Sequence, residues 1–204
     1  MRIPATLLLF VAGLPFQPLR AEPRGLLDRL VSRPTVRETT PPPASRQTAS
    51  TPGVIPLPEV FFSPKGGCTQ AVVREMREAR QSILVQAYSF TSAPIAAALV
   101  EAARRGVLIE VVLDKSNKTG KYSAADFVAH AGIRTWLDEK HAIAHNKVLI
   151  IDEAIVVTGS FNFTKAAEES NAENLLILRS PELASLYTRK FIEHRNHSAP
   201  YAGR

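Results

Sequence analysis

Apolar and polar positions change their spacing twice along this chain, and each change marks a different kind of segment. From Ile3 to Phe16 the residues are almost all apolar, interrupted by Pro4, Gly13 and Pro15, with Arg2 ahead of them and Ala21 a few places beyond. The run is short of the ~20 apolar residues a membrane span needs, and its layout predicts a signal peptide over residues 1–21. An uncleaved anchor is the alternative, since Leu19 is larger than the residue usually found two places before a cleavage site. Apolar periodicity then disappears. Eight of the 15 prolines fall between Glu22 and Pro58, including Pro41-Pro42-Pro43, among Thr, Ser and Arg. Such a stretch buries too little apolar surface to offset its ordering entropy, and residues 22–58 are expected to form a disordered tether, with a short helix possible over Leu26–Val31.

From Val60 onward strand-like and helix-like patterns alternate. Ala71–Arg80 suits a helix, and Ser82–Tyr88 (SILVQAY) is a β-branched strand pattern. Ser92-Ala93-Pro94 opens an Ala-rich helix to Arg105, with proline in its first turn and Gly106 just past its end. Val107–Leu113 (VLIEVVL) is nearly continuously apolar, as in a strand covered on both faces. Ser123 and Asp126 have the form of a capping box for a helix ending near Gly132. Short strands follow at Ile133–Leu137, Lys147–Ile151, Ala154–Val157 and Asn174–Leu178, and Ser180-Pro181 starts a last helix reaching about His194. The alternation predicts an α/β fold, an α-β-α sandwich around a mixed, mostly parallel sheet, in a single domain over residues 59–198 with 199–204 as a tail.

Composition alters this picture in two respects. Lys and Arg total 25 against 19 Asp and Glu, a formal net charge of +6, which favours polyanionic partners such as nucleic acid or an acidic membrane surface. The single cysteine, Cys68, excludes an intramolecular disulfide and a Cys-rich metal site, and reads as a small apolar residue.

Candidate chemistry is concentrated in His145-Asn146-Lys147 through Asp152, then Gly159-Ser160-Phe161-Asn162, then Glu173. His145 and Lys147 are two apart, so on a strand they share a face. An imidazole beside an ammonium supplies a nucleophile and a cation, the two things a phosphodiester under attack requires. Ser160 and Asn162 follow a strand, where small polar residues can donate hydrogen bonds to phosphate. Glu173 could bond the second ring nitrogen of His145 and fix its tautomer. Lys115, Lys118, Lys121, Lys140 and Lys165 surround this segment, and Asp114–Ser123 (DKSNKTGKYS) is a polar post-strand loop of the kind that carries ligand-binding groups in α/β folds.

The pattern H-x-K-x(4)-D followed by G-S-x-N resembles the signature of the phospholipase D superfamily. Thr158–Asn174 (TGSFNFTKAAEESNAEN), with Ala87–Thr91 (AYSFT) upstream, is similar more narrowly to the small secreted bacterial endonucleases of that superfamily, over about Val60 to Arg195. The resemblance implies the phospholipase D/nuclease fold and a two-step reaction through a phosphohistidine, without metal or other cofactor. It implies that His145 is the nucleophile, that Lys147, Ser160 and Asn162 contact the phosphate, that Asp152 holds the loop and that Glu173 orients the histidine. Since only His145 among the five histidines lies in an H-x-K pattern, one chain carries half of the two-displacement machinery, and a homodimer with a shared site is expected.

Three functions fit: a DNA endonuclease with little sequence preference (RNA being a second nucleic-acid candidate), a phospholipase D acting on lipid headgroups, and a silent nucleic-acid-binding module, against which the intact His145, Lys147 and Glu173 argue. His141 and His145 are four apart and could chelate zinc on a helix. On an extended segment they stand ~13 Å apart and cannot share an ion, so no metal is expected at the site. His130, His194 and His197 read as surface or structural residues. Export places the protein in the periplasm or outside the cell, with no stable membrane insertion once the signal is removed. Deleting Glu22–Pro56 should leave a soluble, active protein, and a large fall in its thermal melting temperature would show that the tether is packed.

Overall fold

The computed structural model describes residues 57–204, so the expectations for the signal peptide, for nearly all of the tether and for the Leu26–Val31 helix lie outside the described residues. The elements are β1 (Glu59–Ser63), α1 (Cys68–Glu78), β2 (Ser82–Ala87), α2 (Ala93–Arg104), β3 (Leu108–Asp114), α3 (Ala125–His130), β4 (Arg134–Asp138), β5 (Lys147–Ile151), β6 (Ile155–Gly159), α4 (Lys165–Glu169), β7 (Glu173–Arg179), α5 (Pro181–His197) and β8 (Ala199–Tyr201). All eight strands form one sheet in the order β1-β7-β6-β5-β2-β3-β4-β8.

The sheet is mixed, but its balance corrects the expectation of a mostly parallel one. β1, β2, β3, β4 and β6 run the same way, yet β5 and β7 are interleaved among them, so only β2–β3 and β3–β4 are parallel neighbours. Parallel pairing needs a crossover of a dozen or more residues. α2 and α3 supply such crossovers in the first half, whereas β5 and β6 are joined by a tight turn that forces reversal. Helices cover both faces. α1, α2 and α3 pack on one, over Ile83, Val85, Val111, Leu149 and Val157, and α1 buries Cys68, Ala71, Val72, Glu75 and Met76, the i, i+3, i+4 stripe of an amphipathic helix. α5 lies against β2 to β6 on the other face, where Leu84, Val112, Val148, Ile150 and Val156 are buried. Glu75 is fully buried but bonded to Arg74 and to Arg179 of β7, which ties α1 to the sheet. Among the described residues no helix is long and apolar enough to cross a membrane.

Two further expectations are corrected. Residues 199–204 are not a tail: β8 pairs with β4, Tyr201 donates to Asp126, and Arg204 forms an ion pair with the same carboxylate. Asp126, thus engaged, does not close a capping box, although Ser123 Oγ does accept from Ala125 N (3.2 Å). Ser180 caps α5 through Leu183 N as expected, and the helix runs three residues beyond His194.

The β5–β6 connection sets the register of the central strands. Asp152 and Glu153 both have positive φ (51° and 56°), and Ala154 N donates to Ile151 O, the form of a type I′ hairpin turn. The Asp152 carboxylate accepts from three successive backbone N–H groups at the start of β2: Arg80 (2.9 Å), Gln81 (2.7 Å) and Ser82 (2.9 Å). Hydrogen bonds to a charged group contribute ~1.5–3 kcal/mol, so Asp152→Ala should lower stability by about 2–3 kcal/mol in a urea titration, and Asp152→Asn by less. Turnover per molecule that keeps the native register should be unchanged. A wild-type melt with turnover abolished would mean that Asp152 acts in the chemistry.

Candidate active site

The carboxyl ends of β2, β3, β4 and β6 and the amino ends of β5 and β7 lie on one rim of the sheet, where α/β folds place their ligands. His145 and Lys147 enter it at the start of β5. Tyr88 N donates to Asn146 O (2.8 Å), and the Tyr88 ring lies 4.7 Å from the imidazole of His145, so the residue after β2 supports the histidine. His145 is exposed, and its ring nitrogens make no hydrogen bond among the described residues. Lys147 is buried to 6% exposure; its Nζ donates to His145 O (2.8 Å) and lies 5.1 Å from the Tyr88 ring centroid. Burial pushes the Lys147 ammonium below the ordinary lysine value of 10.5, and Glu173 pulls it partly back.

The strand β6 brings the second group of residues. Beyond the Val148–Thr158 pair, the ladder sets Gly159 opposite Lys147. A Cβ at Gly159 would collide with the Asn174 carbonyl, and the close approach lets Ser160 N and Phe161 N both donate to Asn174 O. Ser160 Oγ accepts from Asn174 N (3.1 Å), which leaves its own O–H available to an anion. Phe161 and Phe163 are buried, and Thr91 N and Ser92 N donate to Phe163 O, docking the loop on the segment that carries Tyr88. Asn162, between the two phenylalanines, has its Oδ1 buried without a hydrogen-bond partner. Downstream, Glu168 of α4 accepts from Gly67 N (3.0 Å) and Thr69 N (2.7 Å) at the start of α1.

His145, Lys147, Ser160 and Asn162 therefore share one rim. Asp152 does not: it lies at the opposite end of β5, ~17 Å along the strand from Lys147. Glu173 is on the rim, but within the chain its carboxylate accepts from Asn171 Nδ2 (3.0 Å) and not from His145, from which it is separated by the width of β6. Of the lysines, Lys115 donates to His141 O (3.0 Å) and Lys118 pairs loosely with Glu139 (3.6 Å), so the loops after β3 and β4 are laced together beside the site, whereas Lys165 pairs with Glu169 in α4. Cys68 is fully buried, and burial pushes its thiol up to about 11, which makes it inert.

The structure also gathers residues that the sequence left unconnected. Asp138, His141, His194 and His197 form a cluster where β4 and the last turns of α5 meet. His141 groups with Asp138 and His194 and not with His145. Asp138-x-x-His141 and His194-x-x-His197 were the available signals, 53 residues apart between His141 and His194 and meaningful only once the fold joins them.

A buried lysine and an exposed imidazole on one rim of a mixed sheet, faced by a glycine-serine loop, offer the cation, the nucleophile and the donors that phosphoryl chemistry requires. The family described as "Cardiolipin synthase, PLD-like domain" matches residues 72–195. A phospholipase D of Rickettsia bellii is 41% identical over 134 residues, covering 66% of this chain and 67% of that protein. Among solved structures, a phospholipase D family member, Nuc from Salmonella typhimurium, is 38% identical with a TM-score of 0.69, covering 71% of this chain and 97% of its own. NucT from Helicobacter pylori is 25% identical with a TM-score of 0.67, covering 71% and 99%. The chain belongs to the phospholipase D superfamily and is a phosphodiesterase.

Because burial lowers Lys147, its charge should be lost on the alkaline side before the ordinary lysine value of 10.5 is reached. A kcat/KM profile should therefore fall at a pH below that value, and the fall should be missing from the activity that Lys147→Arg retains, because guanidinium keeps its proton. A profile flat through pH 10.5 would contradict the role given to this charge.

Proposed function

We propose that this phosphodiesterase is an exported DNA endonuclease of low sequence preference, acting through a phosphohistidine on His145 without metal in the reaction. The reading is carried by the lysines of the rim. Lys115, Lys118 and Lys121 follow β3 and Lys140 follows β4, on loops at the same rim as His145, an arrangement suited to a phosphate backbone running past the pair. In the first displacement a ring nitrogen of His145 attacks phosphorus and forms a P–N bond as the P–O bond to the leaving strand breaks. The leaving oxygen takes a proton. Water then attacks the phosphohistidine, gives up a proton and releases the histidine. Lys147, the Ser160 hydroxyl and the Asn162 amide offset the charge that develops on the phosphoryl oxygens.

A second reading, a phospholipase D, has its own observation: Ile143 and Tyr122 are exposed (57% and 73%) on loops of this rim, where they could meet acyl chains. Plasmid nicking and phosphatidylcholine hydrolysis, assayed in parallel in excess EDTA with His145→Ala as control, separate the two. Nicking that survives EDTA and vanishes in His145→Ala supports the endonuclease. Lipid hydrolysis without nicking supports the second reading, and loss of all turnover in EDTA with rescue by Mg²⁺ overturns the mechanism.

The working unit is, in this reading, a homodimer. The proton donor to the leaving group has no second H-x-K histidine in the chain, and Glu173 does not reach its own His145. A two-fold axis bringing two rims together would supply both. Sedimentation should give twice the monomer mass, and mixing wild-type chains with excess His145→Ala chains should depress activity per wild-type chain. Undiminished activity in that mixture would refute the shared site.

A further inference from the structure

We propose that Asp138, His141 and His194, with His197 beside them, form a binding site for a divalent transition metal ion, best suited to Zn²⁺, that clamps the end of α5 to the loop leading into His145. This site is separate from the reaction centre: β4 is three strands from β5 in the sheet, a lateral offset of ~14 Å.

Three imidazoles turn a nitrogen toward one carboxylate oxygen. Asp138 Oδ2 lies 2.8 Å from His141 Nδ1, 3.2 Å from His197 Nε2 and 3.8 Å from His194 Nδ1. The ring centroids of the three histidines are 4.9, 5.0 and 5.4 Å apart. The ligand atoms of Asp138, His141 and His194 all lie within 4.8 Å of one another. Around a tetrahedral Zn²⁺ with bonds of ~2.0–2.1 Å, ligand atoms stand about 3.3 Å apart, so small side-chain rotations complete the shell. An imidazole and carboxylate donor set without thiolate suits Zn²⁺ and its first-row neighbours and not Mg²⁺ or Ca²⁺.

Two features mark the cluster as more than a chance meeting of polar side chains. Asp138 is wholly buried, with its other oxygen, Oδ1, held by Lys140 N (3.1 Å) and His141 N (3.2 Å), so that Oδ2 alone faces the rings. His194 is 8% exposed and continues the buried stripe of Ala184, Thr188 and Phe191 on α5, yet its Nδ1 has no hydrogen-bond partner. A buried ring nitrogen left without a partner is destabilising, and this one is aimed at the carboxylate. His194 and His197 are three apart on the helix and so share its face, while Asp138 and His141 come from the sheet side. The cluster opens on a cleft of about 430 Å³, so an ion has a route in. The bound ion would hold α5 against residues 138–141, whose continuation is fixed again by Ala144 N donating to Asp114 Oδ2 (2.8 Å), one residue before His145.

The test uses purified wild-type chain stripped with EDTA and then equilibrated with Zn²⁺ alone. One tightly held Zn²⁺ per chain after gel filtration, a higher melting temperature than the stripped protein, and a visible absorption band of four-coordinate Co²⁺ on substitution are expected. Since removing even an outer-shell partner of a metal site costs ~10–100-fold in affinity, His141→Ala should weaken binding by more than about tenfold. His141 has a side chain 42% exposed, so this variant should fold, and His194→Ala should bind no ion. His145→Ala should bind as wild type does. The proposal is overturned by a wild-type chain that binds no stoichiometric Zn²⁺ and melts at the same temperature with and without it, or by Zn²⁺ binding that survives His141→Ala and is lost in His145→Ala.

Discussion

The grip of one carboxylate on three backbone N–H groups underlies the geometry of this site. Asp152 fixes the β5–β6 hairpin to the first residues of β2, so that Ile151 pairs with Ile83 and, at the far end, Lys147 with Ala87. Side chains in a strand alternate between faces, and a slip of one residue would turn every one of them over. Lys147 would leave its place beneath Tyr88, and Leu149 and Ile151 would leave the core they share with α1 and α2. The aspartate of the H-x-K-x(4)-D pattern thus acts over the length of the strand, by registration, and its spacing from the lysine is the length of β5.

Much of this was legible in the chain itself. The longer helices and central strands follow from apolar periodicity, Ser180-Pro181 and Gly106, and the rim residues follow from the two short motifs, whereas the one-turn helix α4 gave no periodic signal. What stayed hidden depends on partners distant in sequence. β1 reads ambiguously because Val60 and Phe62 face outward on an edge strand, and it is defined by pairing with β7 more than a hundred residues away. β8 is three residues long and exists because β4 offers an open edge. Asp126 has the right spacing for a capping box and a better partner in Arg204. The histidine cluster is the fullest case: each ring alone is ordinary, and only the packing of α5 against β4 brings them together.

The site also shows how the fold divides labour between depth and exposure. Lys147 is sunk beside the Tyr88 ring, and the cost of burying its charge is a lowered pKa. His145, the nucleophile in the proposed reaction, is left exposed on the support of Tyr88. The Gly159–Asn162 loop is placed by Phe161 and Phe163 buried beneath it, so the donors need few contacts of their own. The position of each polar group is thus held by apolar packing one residue away.

The contact of Glu168 with the start of α1 carries a dynamic consequence. The amides of Gly67 and Thr69 are held by a side chain that sits four residues past the end of the Ser160–Thr164 loop, more than ninety residues away in sequence. Amides at a helix start ordinarily exchange with solvent through local fraying. Here the Glu168 carboxylate of α4 holds both, and α4 follows directly on the Ser160–Thr164 loop. The exchange rates of these two protons should therefore follow the hold of α4 on the start of α1, and with it the loop before α4, rather than the fraying of α1 alone.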